Sequence, residues 1–426
     1  MKKMIAMLLA VMMLVGLFAG CGSQEPAPTQ AAAPTDAPEA PAAEASAEDI
    51  TLTVWGPQED QVDDNSWLPK MCQQFAAAHP EWNITFKYGV CSEGDASKNV
   101  TADPSAAADV YLFANDQLGS LVQAKAIAQL GGKYLDEVKA ENDATMMASV
   151  TASDGGVYGV PFTSNTWFMF YNKAIFNEED IKSLDTMLEK SKVAFPLTNS
   201  WYNAAFYLAN GGTMFGENGN DGAAGIQFGG ENGVAATEYL VNLAANPNFV
   251  NDVSGAGLDG LRNGTVGAIF SGSWDAVAVQ EALGENFGAA QLPTVTIGGE
   301  AKQLMAFAGS KAVGVNPNCK NPQAAVALAV YLGSAEAQKA HYEMRGVIPC
   351  AVSLLEDEAI KNDAVAVAQA NTVSNTAILQ PSIPEMGAYW DPAQHMGEAI
   401  VNGEVTAANA AEKTDLFMES LNNAGL

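Results

Sequence analysis

Two of the seven tryptophans in the sequence occupy positions suited to ligand contact. Trp274 and Trp390 each follow small or turn-forming residues at predicted element ends, where binding residues concentrate. An indole ring offers a flat apolar face and a single N–H donor. The pattern is therefore compatible with ligand binding at these two positions, with core packing as the alternative.

The residues typical of catalysis are sparse. The three histidines, His79, His341 and His395, accompany neither a Gly-x-Ser-x-Gly nor a His-Glu-x-x-His motif. A glycosidase needs two carboxylates across a cleft, and Glu59 with Asp116 is the only pair that the sequence suggests. Asp116 has an equal alternative role as a helix N-cap. We therefore predict a binding protein, not an enzyme, with no cofactor and no metal, and glycosidase activity remains a rival hypothesis.

The first residues predict export. Lys2 and Lys3 precede an uncharged apolar run, 4–18, that is too short to span a membrane. The segment Leu17-Phe18-Ala19-Gly20-Cys21 resembles a lipobox, in which the signal is cut before a lipid-carrying cysteine. We expect a signal peptide over 1–20 and a lipid on Cys21 that anchors the protein at the cell surface, on the outer face of the cytoplasmic membrane. An ordinary signal peptide with a chance cysteine is the alternative.

Composition divides the remainder into a tether and a body. Residues 21–49 are rich in Ala, Pro, Ser, Thr and Glu and cannot form a core. The body from residue 50 is long enough for two domains. A net charge of −29 disfavours nucleic acid as a partner. The body contains four cysteines without a Cys-x-x-Cys pair, and their pairing is left open between disulfides and free thiols: Cys72, Cys91, Cys319 and Cys350.

The order of apolar patterns predicts an α/β protein. Strands are expected at 51–55, 84–90 and 109–114, with helices at 67–78, 95–102 and 118–124. This alternation is typical of a mostly parallel sheet. Further predicted strands and helices indicate a second α/β unit: strands 157–162, 167–172 and 266–271, and helices 181–191, 202–210, 231–245, 257–263, 324–332 and 335–345.

Several motifs, in this order, resemble the extracellular solute-binding family of maltose- and maltodextrin-binding proteins. They span nearly the whole body: Leu52-Thr53-Val54-Trp55, Ala108 to Asp116, Tyr158 to Phe162, Leu208 to Gly212, Asn263 to Ala268 with Ser271 to Trp274, and Gln380 to Met386 with Ala388-Tyr389-Trp390. The resemblance implies a two-lobe clamshell with a hinged cleft. It places one lobe at 50–161 plus 311–358 and the other at 162–310 plus 359–426.

The resemblance also implies a carbohydrate site, whose chemistry suits these residue types. Sugar rings present weakly apolar faces to aromatic platforms, and their hydroxyls pair with planar polar groups. The residues that the resemblance places at the ligand are Glu59, Asp60, Phe113, Asp116, Gln117, Asn165, Trp167, Trp201, Trp274, Trp390 and Gln394. For Trp167, a core position is equally expected. Where the family often has arginine this sequence has Gln117 and Gln394, and where it has acidic groups this sequence has Asn165 and Asn199, which predicts a neutral glycan.

The implied partners follow from the family. We expect a monomer that captures malto-oligosaccharides by hinge closure and delivers them to the permease subunits of an ABC importer in the membrane. A different neutral oligosaccharide is the first alternative ligand. A surface adhesin that binds glycans is a more distant alternative.

Overall fold

The structure, a computed structural model, describes residues 47–217 and 219–423. The predicted signal peptide, Cys21 and most of the tether lie outside these residues. Apolar and β-branched runs form fifteen strands in the described part of the chain: β1 Glu48–Gly56, β2 Trp82–Val90, β3 Val110–Ala114, β4 Val160–Asn165, β5 Phe168–Asn172, β6 Val193–Phe195, β7 Thr213–Met214, β8 Ile226–Gln227, β9 Phe249–Asn251, β10 Ala268–Ser271, β11 Phe287–Ala290, β12 Thr294–Ile297, β13 Glu300–Gln303, β14 Ala306–Val315 and β15 Ala377–Leu379.

Sixteen α-helices are found in the same residues, along with short 3-10 helices. Their bounds are α1 Trp67–Ala78, α2 Ala96–Ala102, α3 Leu118–Gln123, α4 Gly132–Glu141, α5 Ala144–Ser149, α6 Leu184–Lys190, α7 Ser200–Ala209, α8 Gly230–Ala245, α9 Ala256–Arg262, α10 Ala276–Leu283, α11 Pro322–Leu332, α12 Ala335–Arg345, α13 Glu358–Lys361, α14 Ala364–Asn375, α15 Trp390–Val401 and α16 Ala410–Asn423.

Two separate sheets form the centres of two lobes. The first has the strand order β15-β14-β3-β1-β2, with β4 paired to β14. The second has the order β11-β5-β10-β6-β9. In the first sheet β1 runs parallel to β2 and β3, whereas β14 runs antiparallel to β3 and β4. The predicted parallel arrangement is confirmed for β1, β2 and β3, the strands on which it was based. Both sheets are nevertheless mixed, because β14 in the first sheet and β5 in the second form antiparallel pairs.

Each sheet has its own hydrophobic core. The first core contains residues from 50–162 and 312–337, among them the fully buried Trp67 and Phe75. The second core contains residues from 167–307 and 383–421. A third cluster packs the other face of the second sheet against 348–368. The protein is therefore a two-lobe α/β fold, and the exact lobe boundaries stay a prediction.

Two neighbouring segments cross between the lobes. Phe162 on β4 belongs to the first core, whereas Trp167, five residues later, belongs to the second. Strand β14 likewise contributes Phe307 to the second core and Val313 to the first. Strand β15 pairs with the start of β14, and the Thr166 hydroxyl donates to the Phe307 carbonyl at 2.8 Å. The crossing segments are thus joined by hydrogen bonds into one hinge.

Local patterns predicted many elements well. Helix α1 spans the predicted 67–78, and β1 begins two residues before the expected start of the body, at Glu48. Strand β14 and the helices α4, α5, α10 and α14 were not predicted. None of the described helices combines the length and hydrophobicity that a membrane crossing requires. Among the described cysteines, Cys72, Cys91, Cys319 and Cys350 are free thiols.

Candidate functional site

A cavity of about 970 Å³ lies between the two lobes. This volume is at the upper end of the range for small-molecule sites, so the cavity has room for more than one sugar ring. Seven of the predicted site residues line it together: Asp116, Gln117, Asn165, Trp201, Trp274, Trp390 and Gln394. They come from segments up to 278 positions apart in the sequence, and folding brings them to one surface.

Trp201 and Trp274 form an aromatic pair on the second lobe. Their ring centroids are 6.0 Å apart, with the planes inclined at 42°. Trp201 is the second residue of α7, and the Asn199 side chain caps that helix by accepting from the Trp201 backbone N–H at 2.9 Å. Trp274 retains 41% of its surface exposed, unusually much for a tryptophan. The pair therefore presents free indole surface to the cavity.

Gly272 leaves the space that the Trp274 ring occupies. Gly272 directly follows β10, and a Cβ atom added there would collide with the six-membered part of the Trp274 indole. The carboxylate of Asp275 accepts from the Ser271 hydroxyl at 2.5 Å and closes the same turn. The Gly-Ser-Trp sequence thus lets the indole fold back over its own backbone at the end of a buried strand.

Trp390 provides the third indole and is fixed by its neighbour. It is the first residue of α15, and its ring packs edge-on against Tyr389 with centroids 5.2 Å apart. Tyr389 is fully buried, and its hydroxyl donates to the Ser200 carbonyl at 2.7 Å. This bond joins the start of α15 to the start of α7. Trp390 and Trp201 are consequently held by the same buried contact.

Asp116 brings a carboxylate from the first lobe. It lies in the 3-10 helix that follows β3, and the N-cap position of the next helix, α3, is Gln117 rather than Asp116. Burial raises the pKa of the Asp116 carboxyl to about 7, and a hydrogen bond from Gln380 partly opposes that rise. Near neutral pH the group therefore exists in both forms, as an acceptor and as a donor for hydroxyl groups.

The three predicted amides contribute differently. Gln117 lines the cavity, but its oxygen accepts from the Ser97 backbone N–H and its nitrogen donates to the Gly94 carbonyl. This side chain shapes the wall through local backbone bonds. Gln394 is exposed on α15 and donates to Glu398 at 2.9 Å. Asn165, at the end of β4, is partly exposed to the cavity.

The cavity also contains charges that sequence reasoning missed. Lys311 Nζ lies 3.3 Å from Glu93 Oε1 and 5.8 Å from the centroid of the Trp274 ring. Asp95 and Lys98 line the same cavity. The wall of the cavity thus carries charged groups beside the amides that the sequence predicted there. The signal was present, since Lys311 is the only charge in the otherwise buried strand β14.

Phe113 and Trp167 are core residues, which corrects their prediction as ligand contacts. Phe113 is fully buried on β3 in the first core. Trp167 is fully buried in the second core, where its ring packs at 4.9 Å from Tyr202 and 5.6 Å from Phe195. Neither residue lines the cavity, because both lie within strands or crossing segments that are covered on each face.

Glu59 and Asp60 also lie away from the cavity. Glu59 is exposed, so Glu59 and Asp116 do not flank a common cleft as a glycosidase pair would. Asp60 is buried and accepts from Arg345 at 3.2 Å, with His341 Nε2 at 3.0 Å. Burial alone would raise the pKa of Asp60, but His341 and Arg345 outweigh this effect and hold it below its usual value. The acidic turn is thus part of a buried ion cluster.

Comparison with known proteins identifies the family. A model of the family described as "Bacterial extracellular solute-binding protein" matches residues 70–368. A curated relative, the "Maltooligosaccharide ABC transporter solute-binding lipoprotein" of Streptococcus pneumoniae (strain ATCC BAA-255 / R6), is 30% identical over 71% of this chain and 74% of its own. The chain therefore belongs to the bacterial extracellular solute-binding proteins.

Two further similar proteins are named for, or described with, an oligosaccharide. The "Galactooligosaccharide-binding protein" of Bacillus subtilis (strain 168) is 28% identical over 72% of this chain and 75% of its own. A solved structure described as "with acarbose" is 52% identical, covers 88% of this chain and 99% of its own, and superposes with a TM-score of 0.85. The fold is thus shared with a protein whose structure is described with a bound oligosaccharide analogue.

Proposed function

We propose that this protein is the substrate-binding lipoprotein of a carbohydrate ABC importer and that it captures malto-oligosaccharides in the interlobe cavity. The observation that supports this most directly is the set of three tryptophans, Trp201, Trp274 and Trp390, around one cavity with polar side chains between them. Indole faces cover the apolar faces of glucose rings, and the polar groups pair with hydroxyls.

Two comparisons support this ligand class. The pneumococcal relative is named for malto-oligosaccharides, and the structure at 52% identity was determined with acarbose, a pseudo-oligosaccharide. Galacto-oligosaccharides are the second candidate, because one relative of similar identity is named for them. Malto-oligosaccharides and galacto-oligosaccharides are neutral, and acarbose is weakly basic. A cavity lined by several tryptophans accommodates each of them.

Calorimetric titration with a sugar panel tests the proposal. The panel contains maltose, maltotriose, maltotetraose, acarbose, a galactotriose and xylotriose. We expect binding of the α-glucans, with at least tenfold weaker binding of xylotriose. Preference for the galactotriose would select the second candidate, and the absence of binding to every sugar would refute carbohydrate capture.

We propose further that the protein binds without chemical change. The two carboxylates that the sequence suggested as a glycosidase pair do not face each other across the cavity. Among the residues that the structure describes, Asp116 lines the cavity and Glu59 does not. Maltotetraose incubated with stoichiometric protein should be recovered intact by chromatography. The appearance of shorter products, abolished in an Asp116→Asn variant, would instead establish a glycosidase.

Delivery to the importer requires closure and docking. The two crossing segments at 162–167 and 307–313 allow the lobes to rotate about one hinge, and a sugar that contacts both lobes favours the closed form. Small-angle scattering should show a smaller radius of gyration with saturating ligand. We propose that the closed monomer docks on permease subunits, which co-purification in the presence and absence of ligand tests.

Attachment to the membrane is proposed through Cys21. Membrane fractions should contain the protein with a lipid adduct on Cys21 by mass spectrometry. A Cys21→Ala variant should appear in the medium instead. An unmodified Cys21 in membrane-bound protein would contradict the lipid anchor.

A further inference from the structure

Gln380 contacts the cavity residue Trp201 without lining the cavity itself. It follows β15 at the hinge, is 3% exposed, and its backbone N–H donates to the Ala308 carbonyl on β14 at 2.7 Å. Its backbone is therefore fixed to β14, one of the crossing strands. Gln380 is not part of the aromatic surface that lines the cavity.

The Gln380 oxygen binds the Trp201 indole. Trp201 Nε1 donates to Gln380 Oε1 at 2.7 Å, across 179 positions of sequence. An indole has only this one polar group, and a buried N–H without an acceptor costs free energy. The bond consequently selects the ring orientation in which the N–H points at the hinge and a ring face is left for the cavity.

Gln380 also influences Asp116, which belongs to the segment after β3 on the other lobe. Hydrogen bonding to Gln380 partly opposes the rise in the pKa of the Asp116 carboxyl. A glutamate at position 380 keeps a strong acceptor for the Trp201 indole, whereas a methionine of similar length offers only a weak one.

We infer that Gln380 is a positioning residue of the carbohydrate site, whose side-chain oxygen holds the Trp201 ring in the orientation that binds sugar. The inference rests on the proposed function for its ligand. Its structural part, the orientation of the indole, is independent of any ligand.

The first test uses the ligand-free protein. Indole N–H signals are observed by nitrogen-15 correlation spectroscopy, and Trp201→Phe identifies the signal of Trp201. We expect Gln380→Met to shift that signal strongly and Gln380→Glu to leave it in a hydrogen-bonded position. A Trp201 signal that is unchanged in Gln380→Met would overturn the inference, whatever the protein binds.

The second test is a double-mutant cycle on sugar affinity. Gln380→Met should raise the Kd for maltotetraose roughly three- to tenfold, the range for one lost hydrogen bond. In the Trp201→Phe background, which keeps an aromatic ring but lacks the N–H, the same change should have a markedly smaller effect. Equal effects in both backgrounds would show that Gln380 does not act through Trp201.

A matched control excludes a merely structural effect. Gln369 is also buried, at 2% exposure, but lies on α14 away from the cavity, and its side-chain oxygen has no partner in the described part of the chain. Gln369→Met should leave the Kd unchanged, with any change in melting temperature recorded for both variants. A wild-type protein that binds no sugar would refute the proposed function, while the indole signal would still decide the role of Gln380.

Discussion

Lys311 Nζ and Glu93 Oε1 lie 3.3 Å apart on the wall of the interlobe cavity, and both side chains are largely buried. Lys311 belongs to β14, the strand shared by the two cores, whereas Glu93 belongs to the 3-10 helix after β2. The ammonium also lies 5.8 Å from the centre of the Trp274 ring, within the range of a cation–π contact. One cation thus connects the charged wall with an aromatic platform.

The ion pair of Lys311 and Glu93 predicts that the effects of these two residues on the free energy of unfolding are strongly coupled. Lys311→Met leaves the buried Glu93 carboxylate without its partner and should lower the free energy of unfolding by about 1–3 kcal/mol. Glu93→Gln in the same chain should restore much of the loss, since no uncompensated charge remains. Urea denaturation of the wild type, both single variants and the double variant measures the coupling, and strictly additive effects would contradict it.

Trp274 should matter for affinity but not for folding. Its ring is 41% exposed, so Trp274→Ala removes little core packing. Truncation of an aromatic anchor costs about 2 kcal/mol in binding, which corresponds to a roughly 30-fold higher Kd for maltotetraose. Calorimetric titration measures the Kd, and Val62→Ala, also at a highly exposed residue, is the control. An unchanged Kd would remove Trp274 from the binding surface.

The raised pKa of Asp116 predicts that the free energy of unfolding depends on pH. Its pKa of about 7 lies above the usual value near 4, so the folded state holds a proton that the unfolded state releases between these values. Its contribution is complete below pH 4 and is lost as the pH rises through 7. Asp116→Asn does not titrate, so its stability relative to wild type should increase from pH 4 to 7, by at most about 1.4 kcal/mol per pH unit. Parallel stability curves would contradict the raised pKa.

Asp60 should have the opposite profile and no effect on sugar. His341 and Arg345 hold its pKa below the usual value, so its contribution is present above pH 4 and is lost as the pH falls further. His341 is stacked on Trp67 with ring centroids 4.0 Å apart. Asp60→Ala leaves a buried histidine and an arginine without their acceptor and should cost about 3 kcal/mol at pH 7 by urea denaturation. Its Kd for maltotetraose should equal that of the wild type. A weaker affinity at full folding would return Asp60 to the binding site.

Prediction from sequence succeeded where neighbouring residues decide the outcome. Helix α1 was predicted with its observed bounds because its apolar spacing and the flanking Pro80 are local signals. Strand β14 was missed, since Gly309 and Lys311 interrupt its apolar pattern. Its pairing with β3, β4 and β15 is entirely non-local.

The sequence by itself determined the α/β class, the family motifs and the exposed ends of elements at which Trp274 and Trp390 face the cavity. Only the tertiary structure decided which similar side chains share that cavity. Phe113 and Trp167 resemble platforms in sequence, but sheet pairing covers them on every side. Lys311 and Glu93 meet across 218 positions. Burial and charge pairing depend on contacts between distant segments, which local patterns do not encode.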